Sequence, residues 1–344
     1  MNIYKKSFIL IIIFIIFFVI LSYIKSILLY YPTVANKEKY DRFFQKLLYL
    51  TETPQTKSGA LAGSFGAAET PKTKSVALAK SIGAVITQNY ISSAEVPTPD
   101  GMVLDTIYVK NPSNDKCIIF FHGNAGNISM RFDIVKFLYN YCSVLIFDYR
   151  SYGRSTPSTM PLSGTALKTD AETIWTYAVT KLKINPNNIS LMGESLGCAV
   201  AIDLACDLSR THDSTKYPHS LILNSPFYSL TSMIEVIFDK VKVATLGTIL
   251  GFFIGREYQS NELIQYLNQH TKILIAHSPR DEIIPYAEGK KLFELISRTH
   301  PQVKFLRLIR LRKYMIYFYD VVVADIIGAS CDMSGFNIMP NNLT

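Results

Sequence analysis

The sequence predicts an α/β fold in which a mostly parallel sheet is covered by helices on both faces, and three observations predict it. From Val85 onward, short apolar runs alternate with stretches of helical periodicity. The runs are continuously apolar, as in CIIF at 117–120, which is what strands buried on both faces require. The 344 residues also suffice for one such domain of roughly 220–250 residues plus extra segments.

Apolar residues make up 49% of the chain and charged residues 18%, which excludes a mainly disordered protein. The net charge of +8 fits a membrane surface. Its lysines and arginines are scattered, with no basic stripe interleaved with aromatics, so no nucleic-acid partner is expected. The cysteines, Cys117, Cys142, Cys198, Cys206 and Cys331, are odd in number and lack metal-ligand or redox spacing. Neither a metal, nor a cofactor, nor a disulfide framework is expected.

The elements follow in chain order. Residues 1–30 read as an uncleaved signal anchor: Phe8 to Leu21 is FILIIIFIIFFVIL, and residues 7–26 supply the roughly 20 residues that span a bilayer. A cleaved signal peptide would need small residues at A-x-A spacing, and none follow the run. Lys5 and Lys6 before it face Lys25, Lys37 and Lys39 after it, which leaves open the side on which the domain lies. Residues 31–85 read as a linker carrying a tandem repeat, in which ETPQTKSGALAGSFGAA at 52–68 recurs as ETPKTKSVALAKSIGAV at 69–85. Two copies are too few for a solenoid.

The domain proper is placed at 86–309. Strands are expected at Val103–Val109, Cys117–Phe121, Val144–Phe147, Ile189–Met192, Leu221–Leu223, Ile273–Ala276 and Val303–Ile309. Helices are expected at Met130–Tyr139, Leu167–Leu182, Leu196–Leu208 and Tyr286–Ser297. Thr98-Pro99-Asp100-Gly101 is a turn between two early strands. Residues 231–262 read as a short cap, with the apolar stretch Leu246–Gly255 inside it, and 310–344 as a divergent tail.

Chemistry concentrates in three places. Gly193-Glu194-Ser195-Leu196-Gly197 follows a strand and opens a helix of small residues, the context a G-x-S-x-G nucleophile elbow needs. The helix N-terminus offers free N–H groups to an oxyanion. The rival reading is a chance match to a five-residue pattern. The second place is His122-Gly123-Asn124-Ala125-Gly126-Asn127, directly after an early central strand. The backbone N–H groups of Asn124 and Leu196 would converge there on developing charge, with His122 ordering the loop rather than acting as a base. The third is Asp281, between a strand and a helix, where the acid falls in the order serine, acid, histidine. Its rival role is helix capping near Tyr286.

The runs FFHGNAGNIS, LIFDYRSYGRS, LMGESLGCAVA, LILNSPFYSL and DEIIPYAEGKKLF, with the earlier LLYYPT and VPTPDG, resemble the membrane-anchored α/β-hydrolases related to the Bem-type hydrolases and the serine-aminopeptidase-like branch. The resemblance covers residues 28–51 and 86–309. It implies an α/β-hydrolase fold behind one N-terminal transmembrane helix, and cleavage of an acyl ester, thioester or amide at Ser195. The partner it implies is an acylated small molecule or acylated protein at the membrane surface. Ser151 and Cys198 stand where the family usually has glycine, and the repeat resembles an insertion.

The large departure is at the end. The family places its triad histidine in a Gly-His-Asn-Asp-like loop after the last strand. Here Arg310-Leu311-Arg312-Lys313-Tyr314 follows, and no histidine comes after His300. His277, four residues before Asp281, is the alternative base. Without a base, a serine hydroxyl is a weak nucleophile. The sequence therefore predicts a serine hydrolase by lineage with an incomplete triad; the alternatives are a non-catalytic relative that binds an acylated ligand and a decayed gene product.

Overall fold

In the computed structural model, which describes residues 26, 29–52, 86–88, 90–211, 213, 216–240 and 257–308, the apolar runs become strands of one sheet. The strands are β1 (Tyr31–Pro32), β2 (Ile86–Gln88), β3 (Ile91–Pro97), β4 (Val103–Val109), β5 (Cys117–Phe121), β6 (Ala125–Gly126), β7 (Ser143–Phe147), β8 (Ile189–Glu194), β9 (Ser220–Asn224), β10 (Lys272–His277) and β11 (Lys304–Arg307). The helices are α1 (Lys37–Glu52), α2 (Phe132–Tyr139), α3 (Gly164–Thr180), α4 (Leu196–Arg210), α5 (Leu230–Lys240), α6 (Ser260–Leu263) and α7 (Tyr286–Ile296). The nine-stranded sheet has the order β11-β10-β9-β8-β5-β7-β4-β3-β2, and β1 and β6 pair separately. Strands β11 through β7 in that order are parallel, whereas β4, β3 and β2 add on antiparallel.

The period-2 rule explains the two cores. Within β5, Cys117, Ile119 and Phe121 face one way, packed with Leu167, Ile174 and Ile202 of α3 and α4. Ile118 and Phe120 face the other way, with Ile134 and Leu138 of α2. Every residue of β5, β7 and β9 is buried, as a sheet covered on both faces requires. The expected strands and helices are all present, with ends shifted by a few residues. The helix expected from Met130 opens instead with a 3₁₀ turn at Ile128–Met130, capped by the Asn127 side chain.

The linker reading of 31–85 is corrected over its first third. Residues 37–52 form α1, which packs on the domain and buries Tyr40, Phe43, Phe44, Leu47 and Leu48 in the second core. These residues recur at the i, i+3, i+4, i+7, i+8 spacing of an amphipathic helix, which the low-complexity repeat beside them outweighed. Leu47 is fully buried, so Leu47→Ala should cost about 2–5 kcal/mol of unfolding free energy in urea titration. A linker residue would lose no more than about 0.5 kcal/mol. The anchor over residues 7–25, the repeat through residue 85, cap residues 241–256 and the tail from 309 lie outside the described residues. Among the described residues, no helix is long and apolar enough to cross a membrane.

Candidate active site

Topology sets the site. From β5 the chain goes to β7 on one side, then crosses back to β8 on the other and continues outward to β9, β10 and β11. The order therefore reverses between β5 and β8, and in open α/β sheets the crevice at the carboxyl ends of such strands is where ligands bind. The loop after β5 and the turn after β8 meet there.

Ser195 occupies that turn with φ 54° and ψ −117°. This left-handed conformation costs a non-glycine residue about 1–3 kcal/mol, and its surroundings hold it. Ser195 N donates to Asn224 O of β9 at 2.9 Å, and Cys198 N donates back to Ser195 O at 2.9 Å. The flanking glycines are required by contact. A Cβ on Gly193 would lie 2.5 Å from the Cys198 backbone, and one on Gly197 would lie 2.0 Å from Phe121 O. Cys198 fits beneath the turn, its thiol 3.2 Å from both Gly193 O and Asn224 O. Ser151, the other departure from glycine, sits at φ 68° and accepts from Ser158 N through its hydroxyl, which shows why glycine suits the position.

The structure brings the loop after β5 against this turn. A Cβ on Gly123 would stand 3.5 Å from Ser195 Cβ. Asn124 follows Gly123 in that loop and Leu196 follows Ser195 in the turn, and neither backbone N–H is taken by another described residue. The Asn124 side chain is fully engaged: Oδ1 accepts from Tyr31 N (3.0 Å) and Tyr152 Oη (2.7 Å), and Nδ2 donates to Leu29 O (2.6 Å). The segment 29–35 thus forms a strap across the loop, continued by the pairing of β1 with β6 and by the Val34–Gly153 bridge. The sequence did not reveal this strap. Its bonds join residues more than 90 positions apart and leave no local period.

His122 is fully buried, with Nδ1 2.7 Å from Gly123 O and Nε2 3.6 Å from Asp148 Oδ1. Burial drives its pKa down to about 3, so the ring is neutral at ordinary pH and rests against Tyr149 and Tyr152. Asp148, also buried, is pushed up to about 8 by burial and by nearby Asp105, and its Oδ1 accepts from Ile128 N at 2.9 Å. A groove of about 1070 Å³ between β3 and α3 shares no lining residue with this site.

Asp281 follows β10, two strands from β8, or roughly 10 Å across the sheet. Its Oδ1 accepts from Ile283 N (3.0 Å) and Ile284 N (2.9 Å), while Oδ2 lies 3.7 Å from His277 Nε2. It therefore orders its own loop rather than capping α7, whose N-cap is Pro285. His277 is buried; its Nε2 donates to Ile284 O at 2.9 Å, and its Nδ1 faces Gly289, where a Cβ would come within 2.2 Å. It supports the acid's loop and is turned away from solvent. His219, His270 and His300 precede β9, β10 and β11 and so sit at the opposite edge of the sheet. His212 lies outside the described residues. The loop after β11, where a triad histidine would be carried, also lies outside them.

The comparisons agree with this architecture. The profile of a family described as steryl acetyl hydrolase matches residues 59–273, more than half of the chain. An uncharacterized protein of Acanthamoeba polyphaga mimivirus is 49% identical over 286 residues, covering 83% of this chain and 85% of that one. Protein bem46 of Schizosaccharomyces pombe is 30% identical over 206 residues, 58% of this chain and 64% of that protein. A crystal structure of an α/β-hydrolase from Vibrio vulnificus superposes with a TM-score of 0.57 at 16% identity, over 88% of this chain and 97% of that one. A strained serine at the switch point, the loop of β5 beside it and an acid two strands away are thus set in a chain that belongs to the steryl acetyl hydrolase family and to the Bem46-like α/β-hydrolases.

Proposed function

We propose that this chain is a membrane-anchored serine hydrolase by descent, acting on acyl esters, thioesters or amides through Ser195 and impaired by the loss of its triad histidine. The observation that carries the reading is the left-handed Ser195 held between β8 and α4 against Gly123. In the reaction, Ser195 Oγ bonds to the acyl carbon while its hydroxyl proton passes to water, and the N–H groups of Asn124 and Leu196 receive the charge on the carbonyl oxygen; collapse expels the alcohol, thiol or amine, which takes up a proton, and water then cleaves the acyl–serine ester. Asp281 would hold an imidazole in the right tautomer. Neither buried histidine at this edge supplies one. His122 has its Nδ1 against Gly123 O and its Nε2 turned to Asp148, and His277 faces the α7 backbone. The family description favours esters of apolar alcohols, and residues 7–26 would place the enzyme at a membrane where these reside, or where acylated proteins do. The missing histidine also favours a second reading, in which the site binds an acylated ligand without cleaving it.

Losing a triad member leaves a remnant of catalysis from the oxyanion hole and binding, about 10⁴–10⁶-fold below a complete enzyme. Purified protein should therefore hydrolyse short p-nitrophenyl esters close to the buffer rate, and Ser195→Ala should change that rate by less than about threefold. Turnover in the ordinary range of about 1–10³ s⁻¹, lost on Ser195→Ala, would sink the impaired reading, and His277→Ala would then identify the base.

A further inference from the structure

Among the described residues eight large apolar side chains are exposed, and five of them, Tyr31, Val34, Met130, Met160 and Ile283, lie in segments at the carboxyl edge of the sheet, around the candidate site; Tyr49 is on α1, and Tyr90 and Tyr266 lie toward the opposite edge. Ile283 is 78% exposed, Val34 76% and Met160 72%. They come from four separate stretches. Tyr31 and Val34 are on the strap, beside Ala125 and Gly153. Met130 closes the loop after β5, its thioether over Gly126. Met160 lies in the loop after β7, and Ile283 belongs to the acid's loop. At the opposite edge Tyr266, half-exposed, stacks against the Arg210 guanidinium, 4.0 Å from its ring.

A second observation bears on what this edge faces. The apolar run of residues 7–26 reaches the domain at Ser26, whose hydroxyl accepts from Leu162 N, two residues from Met160, at 3.0 Å. Tyr30 then bonds Glu257 and Tyr258, and Tyr31 bonds Asn124. From Ser26 to Tyr31 the chain spans at most about 18 Å. No long tether separates the end of the apolar run from the site.

We propose that the carboxyl edge docks onto a lipid bilayer, with Tyr31, Val34, Met130, Met160 and Ile283 inserted among the headgroups, so that the site opens onto the membrane and draws its acyl substrate from the leaflet. The proposal rests on the reading of residues 7–26 as an anchor. Single apolar side chains spaced among polar loop residues suit a headgroup layer, whereas a protein partner would need a contiguous packed patch.

The test uses the full chain with Cys331→Ser, since Cys117, Cys142, Cys198 and Cys206 are buried. A single cysteine placed by Met160→Cys, Ile283→Cys or Tyr266→Cys carries an environment-sensitive fluorophore. The protein is reconstituted in phosphatidylcholine–phosphatidylserine vesicles with or without phospholipids spin-labelled near the headgroup. An interfacial face sinks about 5–10 Å into the headgroup–acyl boundary, so emission from positions 160 and 283 should fall by roughly half or more with spin-labelled lipid, and emission from 266 should not change. Equal quenching at all three positions, or no quenching at 160 and 283, overturns the proposal. So does a blue shift without quenching, which marks burial by a second copy. Alkaline carbonate separates the two readings. Retention with quenching supports both, and release with quenching removes the anchor but keeps the docking face. Retention without quenching removes the face alone, and release without quenching removes both.

Discussion

Placing a Gly-His-Asn-Asp loop directly after Ile309 should raise ester turnover at least about 10²-fold over the unmodified chain. The described strands carry the rest of the proposed site. β11 pairs with β10 in parallel, and Leu308 N donates to His277 O at 2.9 Å, so the end of the last strand lies beside the strand that carries Asp281. Asp281 Oδ1 is taken by two backbone N–H groups, which leaves Oδ2 for an imidazole. β8 is two strands from β10, roughly 10 Å, a gap that one imidazole with its two hydrogen bonds bridges. The gain should appear in kcat and vanish on Ser195→Ala in the same background. A restored loop that leaves turnover within about threefold of the starting protein, with an unchanged melting temperature, would show that the serine and its oxyanion donors are not preorganised.

How much of this could be read from residues alone differs by feature, for physical reasons. The central strands were legible because burial on both faces forces continuous apolar runs, as in Cys117–Phe121 and in Val144 to Phe147, to which the structure adds the buried Ser143. The elbow was legible because its two glycines answer contacts of 2.0–2.5 Å that no side chain tolerates, so its pattern is short and rigid. Helix α1 carried a readable stripe from Tyr40 to Leu48, but the adjoining repeat's composition pulled the whole segment into a linker. The strap and the Arg150 cluster were not legible. Arg150 binds Asp100 and Asp170 (2.6 and 2.8 Å), and so joins the Thr98–Gly101 turn to the loop after β7. Such bonds depend on how distant loops meet, which no local period encodes. The roles assigned to Asn124 and Asp281 rested on chain order, and the geometry supplies their surroundings.

Gly197→Ala should lower unfolding free energy by about 3 kcal/mol or more, at the top of the range for overpacking. The added methyl would sit 2.0 Å from Phe121 O, 2.6 Å from Phe121 C and 2.8 Å from His122 O. All three are backbone atoms at the end of a central strand, and relieving the overlap means lifting α4 off the sheet. Gly101→Ala is the matched control. Its φ is +85°, yet nothing lies within 4 Å of the added carbon, so only backbone strain of about 1–2 kcal/mol is expected. Guanidinium titrations monitored by tryptophan fluorescence compare the two. Equal losses would mean that the contact between α4 and the loop after β5 is looser than the structure shows, and the oxyanion geometry with it.

The strap bears on which parts of this chain can be exchanged. A transmembrane helix joined through a free linker is a replaceable part, and swapping it for another leaves the catalytic half indifferent. Here Leu29 O and Tyr31 N hold both ends of the Asn124 amide, and Ser26 is already bonded to the loop before α3. The junction for a chimaera therefore falls before residue 26. Drift within residues 26–35 is drift in the neighbourhood of the loop after β5, so a segment that reads as mere attachment is subject to the same constraint as the candidate site.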